Sequence, residues 1–169
     1  TAPSSAAARR GTDGVGEALT VRIQRLDLPE AAAAAADVVA AYVEVDLLDL
    51  APAAALRTAR QALRATGAAF GYEHSVRVQP QTVAAAALRK ALLSTDDKES
   101  DIFFHVIGVS RNGSSKLLGT SHFNLREQWR AGRELAASTR LPVRGAGDEV
   151  PLGHLVVSAD VVAAAQLAA

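Results

Sequence analysis

The chain has 169 residues, with 18 basic and 18 acidic side chains, a net charge of zero at pH 7 and no cysteine. This length suits one domain with its own hydrophobic core, and the balanced charge argues against nucleic-acid binding, which normally needs a basic excess. The lack of cysteine excludes thiol catalysis and thiolate metal sites.

Small, polar and glycine residues dominate the start of the chain. We expect residues 1–17 to be a flexible lead-in and residues 18–169 to form the folded domain. The chain contains no methionine, so we expect it to be a fragment of a longer protein.

Alternation of apolar and polar side chains predicts the strands of the first half. The predicted strands cover residues 19–28, 38–50 and 70–79, and the alternation is cleanest in the last of them. Residues 29–37 are mostly alanine and fit a loop or a short helical turn. Residues 56–65 are ambiguous, because their arginines have helical spacing while a strand here would be weakly patterned and at a sheet edge.

One helix and one hairpin organise the middle of the chain. Residues 101–125 read as strand, polar loop and strand around an Asn-Gly turn at residues 112–113. The run 102–107 is apolar apart from His105, which suits a strand with both faces covered. Residues 81–93 are the predicted helix. Its apolar stripe consists of Val83, Ala87, Leu88, Ala91 and Leu92.

A turn and a strand follow the hairpin. Residues 126–132 are predicted as one helical turn, and Trp129 is expected to pack inward from it. Residues 134–143 are predicted as a short strand that ends at Pro142.

The chain closes with a strand and a short helix. Residues 150–159 alternate and form the last predicted strand, and residues 160–169 are predicted as a helix with Asp160 as its N-cap. Repeated short strands without a βαβ rhythm favour an all-β fold. We predict an eight-stranded antiparallel β-sandwich with one inserted helix.

Three segments carry a resemblance to a known fold family. They are AAYVEVDLL at residues 40–48, LLGTSHFNL at residues 117–125 and GHLVVS at residues 153–158. In this order they resemble strands of C2 domains. The resemblance implies a C2 sandwich.

The same resemblance implies where calcium ligands would lie. The family's acidic positions fall on Ala40, Gly108, Ser110 and Lys116. Residues 108–116 contain no carboxylate, and Glu30 and Asp37 in the first loop are too few for an ion that needs six to eight oxygens. We therefore expect no calcium site.

The acidic run 96–101 maps to the opposite end of the sandwich and is interpreted as a solvated connector rather than a metal site.

A narrower resemblance covers most of the chain. VEVDLLDL at residues 43–50, the helix at 81–93, LGTSHFNLREQWRAGREL at 118–135 and LGHLVVSADVVAAAQL at 152–167 resemble the C-terminal C2 domain of the RPGR-interacting protein family. This resemblance implies a ciliary scaffold at the transition zone or basal body. The implied partner is the β-propeller of the retinitis pigmentosa GTPase regulator (RPGR) or another ciliary protein.

The sequence offers no catalytic constellation. The four histidines, which are His74, His105, His122 and His154, lie in predicted strands without metal-ligand spacing. They are interpreted as packed or hydrogen-bonded side chains. No activated serine, P-loop or paired acid and base is visible. We predict no enzyme activity and no cofactor.

Basic side chains give the candidate binding residues. Arg57, Arg60 and Arg64, joined by Arg77, are predicted to bind an acidic partner protein or an anionic lipid headgroup. Each basic residue near such a membrane contributes only about 1 kcal/mol, so attachment would be weak. A solvated edge is the alternative interpretation.

The leading hypothesis for the function is a calcium-independent protein-interaction module of a cytoplasmic ciliary scaffold. Docking to a phosphoinositide membrane and a structural axonemal role are the alternatives.

Overall fold

The structure is a computed structural model that describes residues 16–147 and 149–169. Within these residues, eight strands form two four-stranded antiparallel sheets, in the order β4-β1-β8-β7 for the first sheet and β3-β2-β5-β6 for the second. The strands are β1 (Glu17–Asp27), β2 (Ala40–Asp46), β3 (Gln61–Ala62), β4 (Gly67–Val78), β5 (Asp101–Val109), β6 (Ser115–Asn124), β7 (Leu135–Val143) and β8 (Gly153–Asp160). The predicted β-sandwich is confirmed.

The core lies between the two sheets and is built from alternate residues of their strands. In β5, Ile102, Phe104 and Val106 point inward and are almost fully buried. The facing side chains of β1 include Leu19 and Val21, which are buried to the same degree. Burying each large side chain of this kind contributes about 1.5–3 kcal/mol, which makes the inward pattern the main determinant of the sandwich.

Three of four short helices gather at one end of the sandwich. The helices are α1 (Glu30–Ala36), α2 (Val83–Leu93), α3 (Leu125–Ala131) and α4 (Val162–Ala168). Helix α4 contacts α2, α3 and the start of β1. We call this end the helical end. The β1–β2, β3–β4, β5–β6 and β7–β8 connections lie at the opposite end, the loop end.

Several predicted boundaries shift in the structure. The predicted strand 38–50 is shorter as β2, because Leu48 and Asp49 have positive φ angles of 53° and 57° and turn the chain. The ambiguous segment 56–65 contains the edge strand β3 and no α-helix. Residues 1–15 of the predicted lead-in lie outside the described residues.

The predicted stripe of α2 is wrong at its first position. Val83 is 88% exposed, while Ala85 is buried with Leu88. The cause is the start of the helix, where the hydroxyl of Thr82 accepts the N–H of Ala85 at 3.2 Å and places Val83 in the first turn, away from the sandwich.

The predicted strand 134–143 is observed as β7, but the expected helix cap that follows β8 is not. Pro142 is the last but one residue of β7, which tolerates proline as an edge strand of the first sheet. Asp160 does not cap α4. The carboxylate of Glu134 instead accepts the N–H groups of Val161 and Val162, the latter at 3.1 Å, from the start of β7.

A buried arginine holds the helical end together. Arg126 is 4% exposed, and its guanidinium donates to the carboxylate of Asp97 and to the backbone oxygens of Ala91, at 3.2 Å, and Ser94. These oxygens belong to the C-terminus of α2, where carbonyls lack helical partners. The same helix α3 carries Trp129, which is partly buried against the core as predicted.

Candidate functional site

The outer face of the first sheet is polar, and its side chains form ion pairs and hydrogen bonds with one another. Arg22 donates to Asp160 at 2.8 Å and lies 3.6 Å from Glu73, and the hydroxyls of Thr20 and Ser75 are 2.8 Å apart. The hydrogen bond to Asp160, with the charges of Asp160 and Glu73, raises the pKa of Arg22. A face of this kind satisfies its own polar groups and gives a partner little apolar surface.

The outer face of the second sheet is different in character. Strand alternation puts the core residues of β2, β5 and β6 on one side and a set of aromatic, histidine and aliphatic side chains on the other. We call this set the aromatic face. It consists of Tyr42, Phe103, His105, Ile107, Leu117 and His122.

Phe103 lies on β5, the middle strand of the aromatic face, between two histidine rings. Its ring centroid is 6.1 Å from that of His105, nearly parallel at 12°, and 5.6 Å from that of His122. These separations are within the range of attractive aromatic contacts. The three rings therefore contact one another on the outer surface of the second sheet and form a platform, which we call the Phe103 platform.

The aromatic face is partly open to solvent. Three of the four helices pack at the helical end, and none of those described makes an extensive contact with β2 or β6. Leu117 is 57% exposed and His122 is also exposed, while the other four members of the face are half-buried. An apolar surface patch commonly marks an interaction surface.

An acidic depression borders the aromatic face at the helical end. It has a volume of about 320 Å³, and its charged lining comprises Glu44, Asp46, Asp49 and Arg57. The guanidinium of Arg57 donates to Glu44 at 2.6 Å and lies 5.2 Å from the centre of the Tyr42 ring. Arg57 is thereby fixed at the border of the aromatic face by an ion pair and a cation–π contact.

The four arginines predicted as a binding group do not form one patch. Arg57, Arg60 and Arg64 follow one another along the β3 edge and are exposed. Arg77 is also exposed, but it pairs with Ala18 near the far end of β4. At about 3.3 Å per residue, Arg77 lies roughly 30 Å along the strand from the turn that follows Arg64. The structure thus separates Arg77 from the other three.

The sequence reasoning missed the aromatic face. The apolar run 102–107 was expected to have both faces covered, but in the structure only its inward face is covered by the core. His105 and His122 lie on the outer face, packed against Phe103. The available signal was that Phe103, His105 and Ile107 share one side of a strand whose other side already fills the core.

The positions that correspond to calcium ligands lie at the loop end. Ser110 and Asn112 belong to the β5–β6 loop, whose polar groups bond to one another: the hydroxyls of Ser110 and Ser114 are 2.7 Å apart, and Asn112 accepts the N–H of Ser114 at 2.9 Å. The acidic run 96–101 lies at the helical end, as expected. Across residues 16–147 and 149–169, the structure has no group of three or more histidine, aspartate or glutamate side chains that could hold a metal ion.

The described part of the chain also has no helix that is long and apolar enough to cross a membrane.

Comparison with known sequences found no relative: neither a protein-family profile nor a curated protein sequence matches the chain.

Solved structures show what the fold resembles. One is described as a C2 domain-containing protein from a putative elicitor-responsive gene; it has 13% identity and a TM-score of 0.52, over 89% of this chain and 91% of that one. The C2A domain of plant extended synaptotagmin 1 has 15% identity and a TM-score of 0.49, over 87% of this chain and 94% of that one. The first similarity confirms the predicted C2 fold. It does not extend to the RPGR-interacting family, which stays a prediction.

Proposed function

We propose that this C2-type sandwich is a non-catalytic protein-interaction module that binds its partner through the aromatic face and works without calcium. The observation that supports the proposal is the half-buried Phe103 platform, with the exposed Leu117 farther along the same outer face, opposite Ile107. Aromatic side chains are enriched in protein interfaces, where they provide large contact area at low entropic cost. The self-paired outer face of the first sheet offers no comparable surface.

The loop end supports independence from calcium. Gly108, Ser110 and Lys116 stand where the family's third-loop acids would be, so these positions supply no carboxylate. Calcium needs six to eight oxygen ligands, usually with several carboxylates among them.

A ciliary setting is the part of the proposal that rests on the resemblance at residues 118–135 and 152–167. In that setting the domain belongs to a cytoplasmic scaffold of the transition zone, basal body or axoneme. Its partner is the β-propeller of RPGR or another ciliary protein.

Calorimetric titration with the purified RPGR β-propeller tests the proposal. Leu117→Ser should weaken binding about tenfold or more, because a leucine side chain buried in an interface contributes about 1.5–3 kcal/mol. Leu93→Ser is the matched control: Leu93 is 55% exposed against 57% for Leu117, but it lies at the end of α2. Equal binding by both variants would remove the aromatic face from the interaction.

Docking to anionic membrane is the second candidate. It is favoured by Arg60 and Arg64, which are exposed and form no ion pair with any other described residue. Sedimentation with phosphoinositide vesicles distinguishes the two functions. Strong, salt-sensitive binding that is lost in Arg60→Ala/Arg64→Ala but kept in Leu117→Ser would favour the membrane.

A further inference from the structure

The acidic depression beside the aromatic face carries more negative charge than its own cation balances. Glu44, Asp46 and Asp49 supply three carboxylates against the single guanidinium of Arg57. Arg57 is already paired with Glu44 at 2.6 Å. Asp46 and Asp49 are exposed and form no ion pair with any other described residue. The chain as a whole is neutral, so this excess is local.

The depression and the aromatic face are continuous. Asp46 is the cross-strand neighbour of Phe103, and Glu44 is the neighbour of His105. His105, which stacks on Phe103, also lines the depression. The surface combines a flat aromatic area with carboxylates a few ångströms away.

From this arrangement we infer that the depression receives an arginine side chain of the partner protein, on a segment that places an apolar residue against Phe103. This inference rests on the proposed function. The aliphatic stem and planar guanidinium of arginine suit the aromatic platform, and its fixed donors suit carboxylate pairs. Arg57 itself lies over the Tyr42 ring and binds Glu44 in the same way at the border of the aromatic face.

The charge of the depression also decides against other occupants. An anionic headgroup would meet net negative charge here. A metal ion would need converging ligands, and the carboxylates of the depression do not form such a group among the residues that the structure describes.

The test is an NMR titration of the ¹⁵N-labelled protein with short synthetic peptides. The probe has a central Leu-Arg-Leu sequence with serine and glycine flanks, and the comparison peptide replaces arginine by citrulline, which keeps the shape and removes the charge. The arginine peptide should shift the amides of residues 44–57 and 103–107. The citrulline peptide should bind about tenfold more weakly.

Two protein variants locate the charge effect. Asp46→Asn/Asp49→Asn should weaken the arginine peptide about tenfold and leave the citrulline peptide unchanged. Asparagine also tolerates the left-handed backbone of Asp49. The matched control is Glu99→Gln/Glu127→Gln, which neutralises two exposed carboxylates at the helical end and should have no effect.

Several results would overturn the arginine site: equal affinity for the two peptides, undiminished binding by Asp46→Asn/Asp49→Asn, or the absence of shifts in either segment. These results do not touch the proposed function, which fails separately if Leu117→Ser and Leu93→Ser bind the β-propeller equally. An arginine site that fails while Leu117→Ser still abolishes binding leaves an interface of apolar contacts alone.

Discussion

The buried guanidinium of Arg126 makes the helical end a sharp test of the packing argument. Arg126→Met keeps an apolar stem of similar length and removes the hydrogen bonds to the carbonyls of Ala91 and Ser94. Two hydrogen bonds from a charged donor contribute about 3–6 kcal/mol to stability. The variant also removes the buried Nε–H of Arg126, which has no hydrogen-bond partner within the described residues. Because burying an unpartnered donor costs stability, its removal offsets about 1–3 kcal/mol of the loss.

The midpoints of these two ranges give an expected net loss of about 2.5 kcal/mol in the free energy of unfolding. For a domain of this size each kcal/mol lowers Tm by about 2–4 °C, so Tm should fall by roughly 5–10 °C. Urea denaturation gives the free energy directly. The matched control is Arg130→Met, because Arg130 lies on the same helix and is exposed; it should change stability by less than about 0.5 kcal/mol.

Asp97→Asn separates the ion pair from the carbonyl hydrogen bonds. The side chain of Asp97 is 84% exposed, so its ion pair is screened by water and should contribute less than about 1 kcal/mol. An equal loss in Asp97→Asn and Arg126→Met would show that the ion pair, and not the carbonyl hydrogen bonds, stabilises the helical end. A neutral Arg126→Met would show that desolvation of the guanidinium cancels its hydrogen bonds.

Three further predictions concern stability. Burial raises the pKa of Tyr72, so the folded state holds the hydroxyl proton more tightly than the unfolded state. The contribution of this proton to the free energy of unfolding is complete below pH ~10 and is lost as the pH rises through the folded pKa. Urea denaturation at high pH should therefore show a loss of stability that Tyr72→Phe lacks. Glu134→Gln should cost about 1 kcal/mol and speed hydrogen exchange in α4, because its carboxylate serves the N-terminus of that helix; unchanged exchange there would contradict this. Gly119→Ala should cost about 1–3 kcal/mol in a thermal melt, since a Cβ atom would lie 2.7 Å from the backbone oxygen of Arg144, where the two sheets meet; a neutral variant would show that this edge can move.

Calcium gives a final prediction about the loop end. Millimolar calcium should not raise Tm, because ligand binding to the folded state must stabilise it and the family's ligand positions here lack carboxylates. An upward shift that is reversed by a chelator would contradict the proposed calcium independence.

The local pattern of apolar, polar and turn residues was enough to predict most of the fold. The alternation in residues 19–28 and 70–79 places Leu19 and Val78 in the core because a strand has a fixed period of two. The Asn-Gly turn at residues 112–113 fixes where β5 turns back as β6. These features depend only on neighbours in the chain, so the sequence alone determines them and, through them, the sandwich.

Contacts between distant segments decided the rest. Whether Phe103 and His105 are covered depends on where the helices pack, and alternation within β5 carries no information about that. Glu134 replaces Asp160 at the start of α4 because folding brings residues 27 positions apart into hydrogen-bond distance. Arg57 and Arg77 look like members of one basic group in the sequence, but they lie on different sheets. The sequence by itself determined a C2 sandwich, and only the tertiary structure decided which of its outer faces carries partly exposed aromatic side chains, because burial is a property of packed surfaces and not of the strand that carries them.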